Sequence, residues 1–388
     1  MHFPQITAWL RESDETRLAE LWQQADLARQ EGVGDAVHLR GLVELSNHCV
    51  RLCAYCGLWA ENRKLPRYRM SRDEVLACAR QAVDLGYGTV VLQAGEDPGI
   101  TADWMAELVR EIKRATPLAV TLSLGERDEE ELALWRQAGA DRYLLRFETS
   151  NRALYERIHP PPPANGHPGR DSDRIALLGT LRRLGYEVGS GVMIGIPGQS
   201  YDDLARDIEL FRTLDLDMIG VGPYLAHPDT PLEMAEVEKE NGLRSWVLGL
   251  SSQSHDHAVH GARSPKSQDP RPKTFSDQVP ATELMTYKVI ALARLACPRA
   301  NIPATTALAT LNLDQGRELG LRRGANVIMP NLTPPQYRVH YEIYPNKACL
   351  RETARQCHHC TEARIESLGR SVGRGRGDAP RYTHALHD

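Results

Sequence analysis

Three cysteines within eight positions form the most reactive group in this sequence. Cys49, Cys53 and Cys56 have the spacing C-x3-C-x2-C and follow a β-prone run at 38–45. Three thiolates from one short loop can hold three irons of a [4Fe–4S] cluster, whose usual full ligation is four cysteines. The spacing therefore predicts a cluster with one iron left open for a substrate or cosubstrate.

A structural zinc loop is the alternative interpretation of this first cysteine triad. Such a site normally closes with four ligands, often in paired C-x2-C or histidine-containing spacings. The neighbouring His48 adjoins Cys49 and would have to bend back to serve as the fourth ligand. The ligand number therefore favours the iron–sulfur cluster.

A second cysteine triad lies near the end of the sequence. Cys349, Cys357 and Cys360 have the spacing C-x7-C-x2-C. Three thiolates could hold a second, labile cluster, which is the interpretation we favour. A Cys3His zinc site that uses His358 or His359 is a competing possibility, and free thiols are another.

The elements that must position these residues alternate between strands and helices. The predicted strands are 38–45, 88–93, 118–123, 141–147, 187–194, 217–222, 301–306 and 325–329. Amphipathic helices are predicted between them, for example at 71–85, 102–115, 129–138 and 172–184. Strict alternation of eight strands with helices predicts an α/β fold of the (β/α)8 TIM-barrel type, with functional residues at the carboxyl ends of the strands.

Several segments flank or interrupt this barrel. Residues 1–36 are predicted to be an N-terminal helical segment, and the barrel itself is predicted over 37–345. Residues 346–388 form a predicted C-terminal extension with the second triad, and its Gly/Arg-rich end at 369–388 is predicted to be a flexible tail. The polar stretch 236–280 is predicted to be a disordered insertion.

Composition narrows the class of protein. The chain has 388 residues, a hydrophobic fraction of 41% and a net charge of −4, which argue against wholesale disorder and against a strongly basic nucleic-acid binder. No apolar run approaches eighteen residues, and no basic and apolar leader precedes the helices, so we expect neither a membrane span nor secretion. We expect a cytoplasmic protein, in which clustered cysteines favour metal ligation over disulfides.

Further motifs accompany the first triad in a fixed order. They are Gln93-Ala-Gly95-Glu96-Asp97, Leu144-Leu-Arg146-Phe-Glu148-Thr, Leu154-Tyr-Glu-Arg-Ile-His159-Pro160, Arg174, and the segments 185–199, 222–231, 301–307, 324–331 and 341–345. With C-x3-C-x-aromatic-C at the end of the first strand, this set resembles the radical S-adenosylmethionine (SAM) enzymes. Over 35–368 it resembles most the HydE group of [FeFe]-hydrogenase maturases, and in parts biotin synthase and methylornithine synthase.

This resemblance implies a cofactor chemistry and a set of site residues. The open iron would bind the amino and carboxylate groups of SAM, and reductive cleavage would give methionine and a 5′-deoxyadenosyl radical. The implied cofactor-binding residues are Gly95, Glu96, Glu148 and Arg174. Arg146 and Tyr344 are implied as catalytic residues, in a substrate chamber lined by Gln93, Ser123, Thr305, Thr306 and Met329.

The resemblance also implies a substrate and partners. The substrate would be a cysteine-bound Fe(CO)2(CN) complex supplied by a HydG-like maturase, and the product would pass to a HydF-like maturase. A flavodoxin or ferredoxin would supply the electron.

Less specific interpretations remain open at this point. Glu148 and Arg174 could be a surface ion pair, and Ser123 and Met329 could be ordinary barrel packing. A biotin-synthase-like or methylornithine-synthase-like enzyme is a related alternative. A non-catalytic iron–sulfur scaffold or electron carrier would explain both triads, but not the Gly95, Glu96, Glu148 and Arg174 set.

Overall fold

A parallel β-sheet curls around the centre of the molecule. The computed structural model describes residues 1–161, 172–235, 277–350 and 352–383. The strands are β1 (Ala36–Ser46), β2 (Thr89–Ala94), β3 (Ala119–Ser123), β4 (Arg142–Leu144), β5 (Glu187–Ser190), β6 (Met193–Ile194), β7 (Met218–Ile219), β8 (Gly222–Pro223), β9 (Val327–Ile328) and β10 (Ser371–Val372).

Helices cover the outside of this sheet. They are α1 (Phe3–Arg11), α2 (Glu15–Val33), α3 (Arg72–Asp84), α4 (Ala102–Ala115), α5 (Glu129–Gln137), α6 (Arg152–Ile158), α7 (Arg174–Arg183), α8 (Tyr201–Thr213), α9 (Glu283–Ala296), α10 (Thr306–Leu311), α11 (Gly316–Arg322), α12 (Pro335–Arg338), α13 (Ala354–Ser367) and α14 (Pro380–Thr383). The predicted helices at 71–85, 102–115, 129–138 and 172–184 correspond to α3, α4, α5 and α7.

The strand pairing runs around the barrel and returns to its start. Strands β1, β2, β3, β4, β5 and β7 pair in parallel in this order. Met218 of β7 then bridges Asn301, Pro303 bridges Val327 of β9, and β9 pairs with β1. The prediction of a parallel α/β barrel is therefore confirmed, although the predicted seventh strand at 301–306 is reduced to two bridges.

Two other predicted strands are broken in the middle. The run predicted at 187–194 forms β5 and β6, and the run at 217–222 forms β7 and β8. A Cβ atom on Gly191 would lie 1.8 Å from the carbonyl oxygen of Gly220. The two strand segments therefore approach each other at their breaks more closely than a side chain on Gly191 would allow.

The prediction of a flexible tail is wrong for residues 369–383. Strand β10 extends the sheet beside β1, where Ser371 pairs with Ala36 and Val372 with Val37. The Gly377 carbonyl accepts a hydrogen bond of 2.8 Å from Arg40 Nη2, inside the amino end of the barrel. Glycine and arginine content suggested disorder, but the backbone of this segment packs against the barrel, and Arg376 and Asp378 form ion pairs with Asp141 and Arg142.

The predicted insertion at 236–280 lies mostly outside the described residues, which resume at 277. Its last residues belong to the folded structure, and for these the prediction is wrong. Gln278 forms an antiparallel bridge with Ser200, and the buried Val279 donates from its backbone N–H to Gln199 at 2.9 Å.

Within the described part of the chain, no helix is both long enough and apolar enough to cross a membrane.

Candidate cluster and cofactor site

The loop that carries the first cysteine triad begins immediately after β1 and is held from three sides. The backbone N–H of Val50 donates to the Glu96 carbonyl at 3.0 Å, and that of Ala54 donates to the Ile158 carbonyl at 2.9 Å. The Gly57 N–H donates to the Ile343 carbonyl at 3.1 Å. The loop therefore takes its shape from the ends of several barrel units.

Arg67 holds together the two chain segments that flank the cysteine loop. The sequence motifs did not identify this residue. Its guanidinium donates to the carbonyls of Asn47 at 2.5 Å, Leu58 at 2.9 Å, Trp59 at 2.8 Å and Asn62 at 3.2 Å. Four carbonyl partners fix the path of the chain on both sides of the cysteines.

The three thiols of this loop form no disulfide, and Cys53 is buried while Cys49 and Cys56 are partly buried. Burial raises the pKa of each thiol, in the case of Cys56 to about 12. Thiols in this environment become thiolates only when a strong positive centre binds them, because burial alone opposes the charge. The donor set therefore fits a cationic metal centre.

The arrangement of the sulfurs bears on whether a single zinc ion could bind between them. Zinc binds thiolate sulfur at ~2.3 Å, so three sulfurs around one ion would lie within roughly 4 Å of one another. In the described ranges, the group whose three ligand atoms lie within 4.8 Å of one another is His358, His359 and Glu362. The sulfurs of Cys49, Cys53 and Cys56 do not form such a compact group in the described structure, so no site for a single small ion is preformed there.

Gly95 and Glu96, at the end of β2, lie directly against this loop. A Cβ atom on Gly95 would lie 2.2 Å from the His48 carbonyl oxygen and 2.9 Å from Cys49 Cβ. Glycine is therefore required for β2 to reach the cysteine loop. The Glu96 carboxylate accepts from the Glu126 backbone N–H at 3.0 Å and lies 3.7 Å from Arg51.

Glu148 follows β4 and has a left-handed backbone conformation, with a φ of 63°. A non-glycine residue in this region costs on the order of 1–3 kcal/mol and is frequent at functional sites. The Tyr55 hydroxyl donates to Glu148 Oε1 at 3.4 Å. The buried Oε2 atom lies 3.2 Å from Arg146 Nη2 and accepts no hydrogen bond in the described residues.

Arg174 is the first residue of α7, and its side chain is only 10% exposed. Its Nε donates to Glu126 at 2.8 Å, and its Nη1 donates to the Arg146 carbonyl at 2.9 Å. Glu148 and Arg174 are both buried and take different partners, so the interpretation as a surface ion pair is wrong.

Glu126 is a central residue that the sequence motifs did not identify. Its Oε1 accepts hydrogen bonds from Arg174 at 2.8 Å, Arg51 at 2.9 Å and Ser172 at 2.6 Å. Burial acts to raise the pKa of Glu126, but Arg174 and Arg51 outweigh it and hold this pKa below its usual value. Its position shortly after the third predicted strand was a signal, since carboxyl strand ends converge in a barrel.

The structure brings together several of the predicted chamber residues. Parallel register aligns Glu44 with Gln93, and Gln93 with Ser123. Gln93 Nε2 donates to the Tyr341 hydroxyl at 3.2 Å. Burial, and then the charge of Glu44, raise the pKa of Tyr344.

The other chamber predictions lie at element ends. Thr305 is the N-cap of α10 and accepts from the Leu308 N–H, and Thr306 begins that helix. Met329 follows β9 and is partly buried, like Ser123. Sequence reasoning missed a buried ion pair in this region, between Lys347 and Glu44 of β1.

The second triad lines a separate cleft of about 270 Å³. Arg317 Nη2 lies 3.7 Å from Cys349 Sγ, and Arg364 Nε lies 3.4 Å from Cys360 Sγ. A hydrogen bond from the thiol of Cys357 lowers the pKa of Cys349 to about 6. The structure thus places all three predicted sulfur ligands at one cleft, beside two guanidinium groups.

The two histidines of the second motif do not line this cleft. His358 Nε2 lies 3.1 Å from the Glu362 carboxylate, and His359 Nδ1 lies 3.8 Å from it. Consecutive helical side chains point about 100° apart, so His358 and His359 cannot both share the face of Cys357 and Cys360. This arrangement disfavours the Cys3His zinc alternative.

Comparisons with known proteins show what this chain is similar to. The family profile described as "Radical SAM superfamily" matches residues 43–211. The [FeFe] hydrogenase maturase subunit HydE of Thermotoga maritima is 41% identical over 361 residues, which cover 93% of this chain and 89% of that protein. The 3-methylornithine synthase of Methanosarcina acetivorans is 26% identical over 83% of this chain and 77% of that protein.

A similarity to solved structures supports the fold. The crystal structure of methylornithine synthase (PylB) matches with a TM-score of 0.71 at 22% identity, over 96% of this chain and 94% of that chain. At this identity the match speaks for the architecture of the barrel alone.

Proposed function

The chain belongs to the radical SAM superfamily, in the family of the maturase HydE, and from that premise we propose that it acts in [FeFe]-hydrogenase maturation. The observation that carries the proposal is the 41% identity over 93% of the chain. It is supported by a thiol loop at the carboxyl end of β1 that fits a [4Fe–4S] cluster.

We assign the cofactor contacts to residues of this chain. Cys49, Cys53 and Cys56 would hold the cluster, and Gly95 with Glu96 would face the amino group of SAM. When bound, the cluster and SAM together supply a one-electron cleavage that generates a carbon-centred radical. The protein's part is to hold the two groups in place and to keep water away.

The two buried acidic and basic side chains have separate tasks in this proposal. The Glu148 carboxylate would accept from the ribose hydroxyls through Oε2, which lies 3.2 Å from Arg146 but accepts no hydrogen bond in the described residues. The Arg174 guanidinium, held in orientation by Glu126, would donate to the SAM carboxylate, a geometry that suits bidentate contact.

The substrate that we propose is the cysteine-bound Fe(CO)2(CN) complex. The chamber supports an anionic ligand, because Arg146 has a 34% exposed side chain and its buried Nε lacks a hydrogen-bond partner in the described residues. Arg146 and Tyr344 would be the catalytic side chains. Gln93, Ser123, Thr305, Thr306 and Met329 would line the chamber around them.

The partners follow from the same proposal. A HydG-like maturase would supply the iron complex, a HydF-like maturase would receive the product, and a flavodoxin or ferredoxin would reduce the cluster. We further propose a second iron–sulfur cluster in the cleft of Cys349, Cys357 and Cys360, where Arg317 and Arg364 would balance the thiolate charge.

A biotin-synthase-like reaction is less well supported. That activity requires a further cluster with ligands inside the barrel strands, and none of the strands β1–β10 that the structure describes contains a cysteine. A scaffold or electron carrier would not need Glu126, Glu148 and Arg174 buried beside the cysteine loop.

Replacement of single cysteines tests the proposal. After anaerobic reconstitution, the parent protein should show a [4Fe–4S]⁺ EPR signal that changes when SAM is added, and it should release 5′-deoxyadenosine with dithionite. Cys49→Ala, Cys53→Ala and Cys56→Ala should each abolish release, because each removes one of only three ligands. The matched control is Cys297→Ala, which removes a thiol outside both triads and should behave as the parent.

The outcomes separate the candidate functions. Release of 5′-deoxyadenosine by any first-triad variant would contradict the cluster assignment, and no release by the parent would support a scaffold. The substrate is tested by adding a synthetic cysteine-bound Fe(CO)2(CN) complex and following its carbonyl infrared bands. Bands that remain unchanged during SAM cleavage would contradict the proposed substrate while leaving the radical SAM assignment intact.

A further inference from the structure

We propose that His159 is a positioning residue, which acts through the hydroxyl of Tyr55 to orient the Glu148 carboxylate toward SAM. The inference rests on the proposed contact between Glu148 and SAM, and it extends that contact to two residues without an assigned role. Tyr55 lies between Cys53 and Cys56 in the cluster loop, and His159 is the C-cap residue of α6.

The three side chains form a continuous relay. The Tyr55 hydroxyl lies 3.1 Å from His159 Nε2 and 3.4 Å from Glu148 Oε1. The rings of Tyr55 and His159 meet edge to face, with centroids 5.3 Å apart. His159 is 4% exposed, so water does not compete freely for its ring nitrogen.

The direction of the relay follows from which atoms lack partners. His159 Nδ1 is buried and has no hydrogen-bond partner in the described residues. An N–H at this atom would be a buried donor without an acceptor, which is costlier and rarer than an unused acceptor. The proton therefore belongs on Nε2, which donates to Tyr55, and Tyr55 in turn donates to Glu148.

The surroundings keep His159 neutral and fixed. Burial, then the charges of Arg174 and Arg51, lower its pKa well below the usual value. The Tyr155 ring stacks on it at a centroid distance of 4.4 Å and an interplanar angle of 24°. A neutral histidine with one ring face covered can keep a single tautomer and orientation.

Helix α6 also ties this relay to the other half of the cofactor site. The Tyr155 hydroxyl lies 2.5 Å from Ser172 Oγ, which donates to Glu126 at 2.6 Å, and Glu126 holds Arg174. The last turn of α6 is therefore linked to both side chains proposed to bind SAM. His159 reaches Glu148 through Tyr55, and Tyr155 reaches Arg174 through Ser172 and Glu126.

The relay opposes a competing interaction. Glu148 Oε2 lies 3.2 Å from Arg146, whose positive charge would draw the whole carboxylate if Oε1 were free. The hydrogen bond from Tyr55 holds Oε1, so that only Oε2 contacts Arg146 and the carboxylate stays oriented for the ligand. Without the relay, Glu148 would pair more fully with Arg146 and would bind SAM more weakly.

The test measures SAM binding by calorimetry on reconstituted protein, together with iron content and the EPR change on SAM addition. His159→Phe keeps a stackable ring but removes the donor, and Tyr55→Phe removes the relay hydroxyl. Each should raise the Kd for SAM about 10-fold, which corresponds to a loss of ~1.4 kcal/mol in binding free energy, with iron content unchanged. The double variant should equal either single variant, because both break the same relay.

Two further variants separate positioning from mere packing. His159→Gln places an N–H donor near the position of Nε2 and should bind SAM within about twofold of the parent. The matched control is His359→Phe, the same substitution at a side chain that is 70% exposed and lies outside the relay. This variant should bind SAM as the parent does.

Several outcomes would overturn the inference. They are unchanged SAM binding in Tyr55→Phe, His159→Gln binding as weakly as His159→Phe, and additive effects in the double variant. If His159→Phe loses its iron, its SAM binding is no longer informative, and the SAM binding of Tyr55→Phe and His159→Gln then tests the inference. A parent that binds no SAM would refute the proposed function and this inference with it, whereas normal binding by the parent and by Tyr55→Phe would refute the inference only.

Discussion

At the scale of single residues, buried charges of alternating sign surround the cysteine loop. Arg51 lies between Glu96 and Glu126, and Arg174 shares the same Glu126 oxygen at 2.8 Å. A buried arginine without a partner would cost several kcal/mol, so one carboxylate stabilises two cations at once. Glu126 therefore sets the orientation of Arg174 before any ligand arrives.

Replacement of that carboxylate should weaken SAM binding without removing the cluster. In Glu126→Gln, Arg174 and Arg51 lose their shared negative partner and the guanidinium of Arg174 becomes free to turn. We expect a rise of roughly 10-fold or more in the Kd for SAM, which corresponds to about 1.4 kcal/mol, with unchanged iron content. The measurement is calorimetric titration of reconstituted protein.

The matched control for this variant is Glu129→Gln, in the first turn of α5 and exposed. It removes the same charge three residues further along the chain and should bind SAM as the parent does. Equal binding by Glu126→Gln and the parent would show that Arg174 needs no carboxylate to hold its orientation.

At the scale of elements, α13 presents chemically different side chains on different faces. Cys357 and Cys360 lie three residues apart and line the cleft with Cys349, while His358 and His359 turn to Glu362. Helical periodicity explains this division, since residues i and i+3 share a face and i and i+1 do not. The cleft therefore offers sulfur ligands and arginine donors.

Removal of the second triad should lower the iron content and leave SAM cleavage intact. A triple variant with Cys349→Ala, Cys357→Ala and Cys360→Ala should hold roughly half the iron of the parent, if the cleft binds a cluster comparable to the first. It should still release 5′-deoxyadenosine, because the first triad belongs to a different loop. Metal analysis of reconstituted protein and product assay are the two measurements.

The control for the triple variant replaces the histidines instead. His358→Ala with His359→Ala should keep the full iron content, since these side chains do not line the cleft. A loss of zinc instead of iron in the triple variant would support the zinc alternative, and loss of SAM cleavage with an intact first cluster would contradict the accessory role.

At the scale of the whole molecule, the C-terminal residues close the amino end of the barrel. The Arg376 carbonyl accepts from Thr89 Oγ1 at 2.7 Å, and Arg376 Nη2 donates to Asp141 at 2.6 Å. Asp378 pairs with the buried Arg142, which also bonds Glu187 at 2.6 Å. The tail is therefore part of the fold, and it covers the end of the barrel opposite the cysteine loop.

Loss of the tail carboxylate should destabilise the protein. In Asp378→Asn, the buried Arg142 keeps only Glu187 as a charged partner, and the free energy of unfolding should fall by about 1–3 kcal/mol. The measurement is thermal or denaturant unfolding followed by circular dichroism. Arg374→Ala is the control, because Arg374 is exposed in the same segment and should change stability by less than about 0.5 kcal/mol. Equal losses in both variants would contradict a specific role for the Arg142 pair.

The sequence by itself determined the local chemistry of this protein. Cys49, Cys53 and Cys56 lie within eight positions, so a short loop brings them together whatever the rest of the chain does. The alternation of strands and helices is also a local property, and it predicted the parallel barrel and the end of the barrel that carries Glu96 and Glu148.

Only the tertiary structure decided the contacts between distant residues. The partner of Arg142 at Asp378 is 236 positions away, and the partners of Glu126 come from the cluster loop and from the start of α7. Composition marked the tail as loose because glycine and arginine favour disorder in isolation. Packing against the barrel reverses that expectation, since Arg376 and Asp378 pair with Asp141 and Arg142, which no local pattern reveals.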